Sequence, residues 1–400
     1  MTALKMNTIR RTPECGRAWT RCSNAAMSRY RRHLGFGCFA LLWFGSLLTA
    51  PSTGLAEDWP FPRGDVHASG ASPTVLPDSL KVTWEFKADE AVEVTPVVSG
   101  DRVVVGDVMG TLYALDRKNG KEVWRHAYDT GFLASPVIAG DKVICGDIDG
   151  NVYALSLLDG TEAWKQSTDG EISGSAAVYE GHVLVASQDG KLYCYELETG
   201  KPVWTYQADD QIRCSPTIAG DVTLLGGCDA KLHGVDLKSG EAAGDQLPLD
   251  GPTGSTPAVR NDFAIVPVMD GVVYGFDWKK KATLWKYEDV DQSQEYRSSA
   301  AVNDSVAVVS SQRKNIDALD LKTGKRLWRY TLRRRADASP VIAGDDVWVP
   351  ATDGRLVRLS IKDGSEKWVY EIRGGFVSGV AIAGEQLFVA DDEGVVRCFQ

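Results

Sequence analysis

The sequence predicts an all-β protein, an eight-bladed β-propeller of four-stranded antiparallel blades whose ring is closed by N- and C-terminal strands in one blade. Three observations predict it. A Trp recurs about every 40 residues, as Trp84, Trp124, Trp164, Trp204, Trp285, Trp328 and Trp368, with Gly244 at the one register position that lacks it. A fixed period in this range is the mark of a repeat architecture. Asp-Gly pairs recur between short apolar runs, at Asp149-Gly150, Asp189-Gly190, Asp270-Gly271 and Asp353-Gly354, and such pairs are strong hairpin signals. The two ends are complementary: Lys81 to Lys87 carries Trp84 with no three strands before it, whereas Val377 to Phe399 supplies three strands and stops.

One repeat shows why each segment is a strand. Ala134 to Gly140 is short and apolar and ends at a Gly-Asp turn; Lys142 to Cys145 follows and ends at Asp149-Gly150. Asn151 to Leu155 is the third run, closed by Leu158-Asp159-Gly160, and Glu162 to Lys165, with Trp164, is the fourth. Four short strands with tight turns make one blade. The first strand often begins Ser/Thr-Pro, as in Thr95-Pro96, Ser135-Pro136, Ser215-Pro216, Thr256-Pro257 and Ser339-Pro340, a place where proline removes no ladder bond. A blade cannot bury both faces alone, so large flat side chains are expected to fill the wedges between blades.

Residues 1–56 differ in kind. Arg29, Arg31 and Arg32 precede an apolar run, Leu34 to Leu48, which ends in small residues at Gly54-Leu55-Ala56. This order reads as a secretory signal peptide with its start at Met27, and the run is short for a membrane span. Residues 57–80 form an N-terminal lead-in segment and 81–400 the propeller. The leader carries eight basic side chains and one acidic one. Of the 44 Lys and Arg and 54 Asp and Glu, the remainder therefore keeps 36 and 53, a formal charge of −17. That balance disfavours nucleic acid or an anionic lipid surface as partner. The mature chain is expected to be a soluble monomer in the periplasm or cell envelope, with no transmembrane segment. Most of the apolar run follows Cys38, whereas a lipobox cysteine stands at the end of such a run, so Cys38 is a poor lipoprotein anchor. Cys145, Cys194, Cys214, Cys228 and Cys398 show no CxxC or vicinal pair and are expected to be buried, inert thiols.

The strings Ala114-Leu-Asp116-Arg-Lys-Asn-Gly120-Lys-Glu-Val-Trp124 and Ala318-Leu-Asp320-Leu-Lys-Thr-Gly324-Lys-Arg-Leu-Trp328 resemble the tryptophan-docking motif of the PQQ-like propeller repeat family. The resemblance covers essentially all of residues 81–400, and Trp59-Pro-Phe-Pro-Arg-Gly64 resembles the short motif that precedes many such propellers. It implies a structural role for the seven tryptophans, each stacked between neighbouring blades. Two branches follow from it. Quinoprotein dehydrogenases hold pyrroloquinoline quinone (PQQ) and calcium over the ring centre and carry long insertions, a vicinal disulfide and acidic calcium ligands. The outer-membrane assembly factor BamB branch is non-enzymatic. This chain has minimal blades and no adjacent cysteines, so it is most similar to the second branch.

Few motifs suggest chemistry. Asp147-Ile-Asp149-Gly150-Asn151 starts like a calcium loop, but Leu158 stands where a bidentate Glu is needed, and a type I′ hairpin is expected instead. His67, His126, His182 and His233 show no metal-ligand spacing. Arg63-Gly64-Asp65 is explained by the lead-in motif. No phosphate loop, nucleophile elbow or carboxylate pair appears. No catalytic residue, metal or cofactor is therefore assigned, with PQQ kept as the alternative.

The loops entering the first strands carry the remaining signal. They gather at one mouth of the central channel and differ from repeat to repeat: Val92-Glu93, Phe132-Leu133, Ile172-Ser173, Ile212-Arg213, Thr253, Tyr296-Arg297, Ala336-Asp337 and Phe376-Val377. Variable loops on a rigid frame are where binding tends to reside. Glu93, Phe132, Ile172, Arg213, Tyr296, Arg297, Asp337 and Phe376 are the expected contacts for envelope proteins, including an outer-membrane assembly complex. Three irregularities add to this: Gly244 should loosen one wedge, Glu288 to Glu295 lengthens one mouth loop, and Arg333-Arg334-Arg335 makes the next one basic.

Overall fold

The computed structural model describes residues 58–400, so the leader assigned to 1–56 lies outside the described residues. Among those residues there is no helix, and the strands form eight antiparallel blades in a ring. Blade 1 comprises Val97–Ser99, Arg102–Gly106, Thr111–Asp116 and Glu122–Ala127, and blades 2 to 7 repeat this order. Blade 8 is built from Ala381–Ala383, Gln386–Ala390 and Val395–Phe399, with Val82–Lys87 as its outer strand. The expected closure is therefore observed. Trp84 pairs with Cys398 and Glu85 with Arg397, while Lys81 and Gln400 exchange two backbone bonds of 3.0 Å. The Arg397 guanidinium ties Glu85 at 2.8 Å and buried Asp391 at 2.5 Å, so the closing strand is held by charge as well as by its ladder.

The tryptophans work across blade junctions. In the seven fourth strands that carry a Trp a bulge lies just before it, as between Glu122 and Trp124, and re-aims the indole out of the sheet. Six of the seven indoles then lie on a glycine of the next blade. A Cβ on Gly120, Gly160, Gly200, Gly240, Gly324 or Gly364 would come within 2.5–2.7 Å of the ring of Trp84, Trp124, Trp164, Trp204, Trp285 or Trp328 respectively. Carbon atoms pack at about 3.5–4.0 Å, so only glycine fits. Each ring nitrogen also donates to a carbonyl of that next blade: Arg117, Leu157, Leu197, Leu237, Leu321 and Ile361, at 2.7–3.1 Å. Trp368 has no later repeat to meet. Its ring stands edge-on to Phe399, 6.1 Å away.

The Ser/Thr at this position, which Pro follows in five blades and Ala300 follows at Ser299, has a second use. Its hydroxyl accepts a backbone N–H from the preceding blade: Thr95 to Ser135, Ser175 to Ser215, Ser215 to Thr256, Thr256 to Ser299 and Ser299 to Ser339, at 2.9–3.1 Å. Gly379 donates to Thr95 at 3.1 Å and carries the chain of bonds across the closure. The second hairpins differ in detail from expectation. In the turn Asp147–Gly150 only Gly150 has a positive φ, 84°, and Gly150 N–H donates to Asp147 O at 3.2 Å. That is a three-residue loop ending in a left-handed glycine, not a type I′ turn, which needs two positive φ values.

The lead-in segment is part of the ring's interior. The carbonyls of Trp59, Pro60, Val66, His67, Ser69 and Gly70 accept N–H bonds from Val98, Ile138, Ile218, Val259, Val302 and Ile342, one on each of six inner strands, at 2.7–2.9 Å. Ala71–Ser72 adds a parallel fifth strand to blade 7. Arg63 donates to the carbonyls of Pro340 at 2.9 Å and Ala300 at 2.7 Å, and desolvation lowers its pKa to about 10 against the pull of Asp65. Asp65 in turn accepts from the backbone of His67 and Ser69 and from the Ser69 hydroxyl.

Candidate functional site

Two loops per blade build the mouth. In all eight blades the second-hairpin turn donates to the loop that enters the inner strand, for example Val108 to Ala91 at 3.0 Å, Gln312 to Glu295 at 2.8 Å and Thr352 to Arg335 at 3.0 Å. Backbone pairing therefore fixes the mouth, while side chains remain free to vary.

Within each entering loop the side chains alternate in and out. Val92, Phe132, Ile172, Ile212, Thr253, Tyr296, Ala336 and Phe376 are all buried, at 1% exposure or less. They lie under the mouth: a Cβ on Gly106, Gly146 or Gly226 would touch Phe132, Ile172 or Thr253 of the next blade. This corrects four of the expected contacts, because Phe132, Ile172, Tyr296 and Phe376 are core side chains that no partner can reach in this fold. Glu93, Arg213 and Arg297 are exposed and Asp337 is half-buried, as surface contacts require.

The residues that sequence reasoning missed stand on the second-hairpin turns and one step along the loops. Met109, Leu133 and Ile148 are 64%, 45% and 40% exposed, on adjoining turns of blades 1 and 2. Met109 carried a signal, an apolar residue where the equivalent turns have Asp149, Asp189, Asp270 and Asp353, whereas Ile148 stands at a position that is also apolar at Val108 and Met269. On blades 6 and 7 the mouth is charged instead. Glu295, Arg297, Gln312, Arg313, Arg335 and Asp337 line a hollow of about 540 Å3, continued by one of about 570 Å3 that Lys314, Arg334 and Val377 also line. Arg297 pairs with Glu295 at 2.6 Å and Arg335 with Asp337 at 2.8 Å, each within its own loop, and Arg333 pairs with Glu371 at 3.0 Å, so none of these pairs joins the acidic loop to the basic one. Arg313 and Arg334 make no ion pair among the described residues.

Beneath this sector lies a buried ionic cluster. The Arg329 guanidinium grips Asp317 with Nε and Nη2, both at 2.6 Å, and reaches Asp289 with Nη1 at 2.6 Å. Burial is the largest single influence on Asp289 and raises its pKa, but the Arg329 hydrogen bond, the Asp291 N–H and the charges of Arg329 and Arg326 together outweigh it, and the net shift is downward. Asp289 belongs to the lengthened loop, which it pins to blade 6. The buried Tyr296 hydroxyl finds no partner among the described residues, and burial raises its pKa.

Lower in the channel the lead-in segment leaves little room. Phe61, Arg63 and Asp65, with Ser175, Ser215 and Thr256 of the inner strands, enclose about 20 Å3, space for one water. Among the described residues no three His, Cys, Asp or Glu side chains come together as a metal would need. Asp147 is saturated internally, accepting from Asn151 N, Asn151 Nδ2 and the Tyr153 hydroxyl at 2.7–2.8 Å. His67, His126 and His233 each bond to a neighbouring carbonyl, hydroxyl or carboxylate. Burial pushes the Cys194 and Cys214 thiols up to about 12 and Cys398 to about 11, while Cys228 is only half-buried. The arginines of the mouth suit an anion, and among the described residues no group of three carboxylate, His or Cys side chains stands beside them as a calcium partner to PQQ would need.

Comparison with known proteins places this geometry in a family. The profile of the family described as "Outer membrane protein assembly factor BamB" matches residues 75–173, 148–243 and 246–400. The BamB structure from Moraxella catarrhalis superposes with a TM-score of 0.70 at 18% identity, over 80% of this chain and 98% of that one. Quinohemoprotein alcohol dehydrogenase from Comamonas testosteroni superposes with a TM-score of 0.75 at 14% identity, over 86% of this chain and 81% of that one. A computationally designed protein, Ika8, superposes with a TM-score of 0.70 at 14% identity, over 80% of this chain and 99% of that one. Among curated sequences, quinoprotein ethanol dehydrogenase from Pseudomonas aeruginosa is 35% identical over 91 residues, and that from Pseudomonas putida 32%. Those matches cover 20% of this chain and only 15% of the length of either relative. With profile matches from residue 75 to the C-terminus, the chain belongs to the BamB-like family of eight-bladed PQQ-repeat propellers.

Proposed function

We propose that this chain is an exported, non-catalytic scaffold whose channel mouth docks another protein of the cell envelope, in the setting of outer-membrane protein assembly. The observation that carries the reading is the pairing of an apolar patch, Met109, Leu133 and Ile148, with an arginine-lined hollow across one mouth whose backbone is fixed. Exposed apolar residues and Arg are the groups that anchor protein interfaces. The family description supports the choice of partner class. The chain acts as a monomer in this reading, with export by the leader at 1–56. Capture from envelope extracts tests it: the variant Leu133→Glu, Ile148→Glu, Arg313→Glu is expected to lose the partner while unfolding at the wild-type temperature. Retained capture by that variant refutes the mouth as the docking face.

A second reading, a small-ligand or PQQ-binding propeller, is favoured by the local likeness to quinoprotein ethanol dehydrogenases and by the arginine-rich hollow. PQQ with calcium, added to the purified chain, separates the two. A ligand of the native state must raise the unfolding temperature, and the scaffold reading expects no shift.

A further inference from the structure

Six of the eight blade junctions close with an indole lying on a glycine. The junction of blades 4 and 5 departs from this on both sides. Gly244 stands where the Trp belongs, and Lys281, at φ 53°, stands where the receiving glycine belongs. What remains is an apolar cavity of about 470 Å3, walled by Leu224, Leu232, Gly234 and Leu247 of blade 4 and by Trp278 and Lys281 of blade 5.

Gly234 marks it as the missing indole's place. Ala114 pairs with Trp124 and Gly275 with Trp285 at the same ladder position, whereas a Cβ on Gly234 would meet no ring, only Ala243 at 3.8 Å and Leu224 at 4.0 Å. The wall opposite is preset: the Trp278 ring nitrogen donates to Asn261 O at 2.8 Å, and the Lys279 ammonium lies 5.4 Å from its ring centre. At the six filled junctions the indole N–H meets the carbonyl of the residue just after the third strand. Here that residue is Trp278, which follows Val272–Asp277. Lys281 spans the opening, its ammonium bonded to the Ala243 carbonyl. It is exposed, and a flexible stem can swing to place that charge over an aromatic face.

We propose that this socket binds a small planar aromatic molecule carrying a ring N–H or O–H donor. The flat group would enter where an indole sits elsewhere in the ring, its donor directed at the Trp278 carbonyl and its face against Lys281. The volume lies within the range of ligand sites, about 300–1,000 Å3. The socket lies between the strands of blade 4 and the turn at Trp278 to Lys281, and none of the mouth residues named above lines it, so it stands independently of the docking reading.

The test is a 19F NMR titration of 5-fluoroindole with the full chain. One saturable site is expected, weakened at least tenfold by Ala243→Phe, which plugs the cavity from a half-exposed position, and by Leu247→Glu, which charges its wall. Leu133→Glu, at the mouth, is expected to bind as the wild type does. Unfolding curves run beside each variant confirm that it is folded. Absence of saturable binding, or binding left unchanged by both cavity variants, overturns the proposal. Binding of tryptophan-containing peptides with no binding of 5-fluoroindole overturns it too, in favour of a polypeptide ligand.

Discussion

The indole of Trp124 lies flat on Gly160 of the next blade, where a Cβ would come 2.7 Å from ring atom Cε3, and its Nε1–H donates to Leu157 O at 3.0 Å. The glycine before each Trp therefore serves the Trp of the preceding repeat. Gly160→Ala combines overpacking with a left-handed φ of 73° and is expected to cost about 2–4 kcal/mol. Trp124→Ala is expected to cost about 3–5 kcal/mol. Urea unfolding measures both, and a cost below about 1 kcal/mol for either removes the junction role.

Gly234 and Gly275 occupy the same repeat position with opposite surroundings. A Cβ on Gly275 would lie 2.2 Å from Trp285 Cε2, whereas one on Gly234 would make only ordinary contacts, with Ala243 at 3.8 Å and Leu224 at 4.0 Å. Gly275→Ala is expected to destabilise by about 1–3 kcal/mol, as overpacking does. Gly234→Ala is expected to be neutral or to stabilise by up to about 1 kcal/mol through the unfolded chain. Equal effects would contradict the missing-indole account of the blade 4–5 junction.

Arg63 ties the lead-in segment to blades 6 and 7 through the carbonyls of Ala300 and Pro340. Arg63→Ala is expected to cost about 2–3 kcal/mol, the worth of a charged hydrogen bond lost with its acceptors left buried. Hydrogen exchange should then rise at Val302 and Ile342, which donate to Ser69 and Gly70. Unchanged exchange there would mean that the segment is held by its backbone bonds alone.

The Asp289–Arg329 pair sets a pH dependence. The folded pKa of Asp289 is lowered, so its contribution is present above the unfolded carboxylate value, about 3.9, and is lost as pH falls through the lower folded value. Stability should therefore drop below about pH 4, and less steeply in Asp289→Asn. Identical acid limbs for the two proteins would contradict the pairing.

The blade count and the closure were legible because Trp84 to Trp368 mark a period and because Lys81 to Lys87 lacked partners in its own repeat. The mouth was only half legible. Phe132 and Leu133 are adjacent and both apolar, and which of them faces inward depends on the phase in which the loop enters its strand, a one-residue matter that composition does not encode. The lead-in segment was illegible for another reason. Its bonds from Trp59 to Gly70 use backbone carbonyls, which leave no trace in side-chain pattern. The blade 4–5 socket was half visible, through Gly244. Its other half, Lys281 in place of glycine, shows only once the Trp–Gly contact is known to cross the junction.

The docking account is tested most directly by photo-crosslinking in the cell envelope. A photoreactive residue is placed at Leu133 or Arg313 on the mouth, or at Leu158, 72% exposed on a turn of the opposite face. The account predicts a discrete protein adduct from the two mouth positions and none from Leu158. Adducts from Leu158 alone, or equal adducts from all three, would contradict it.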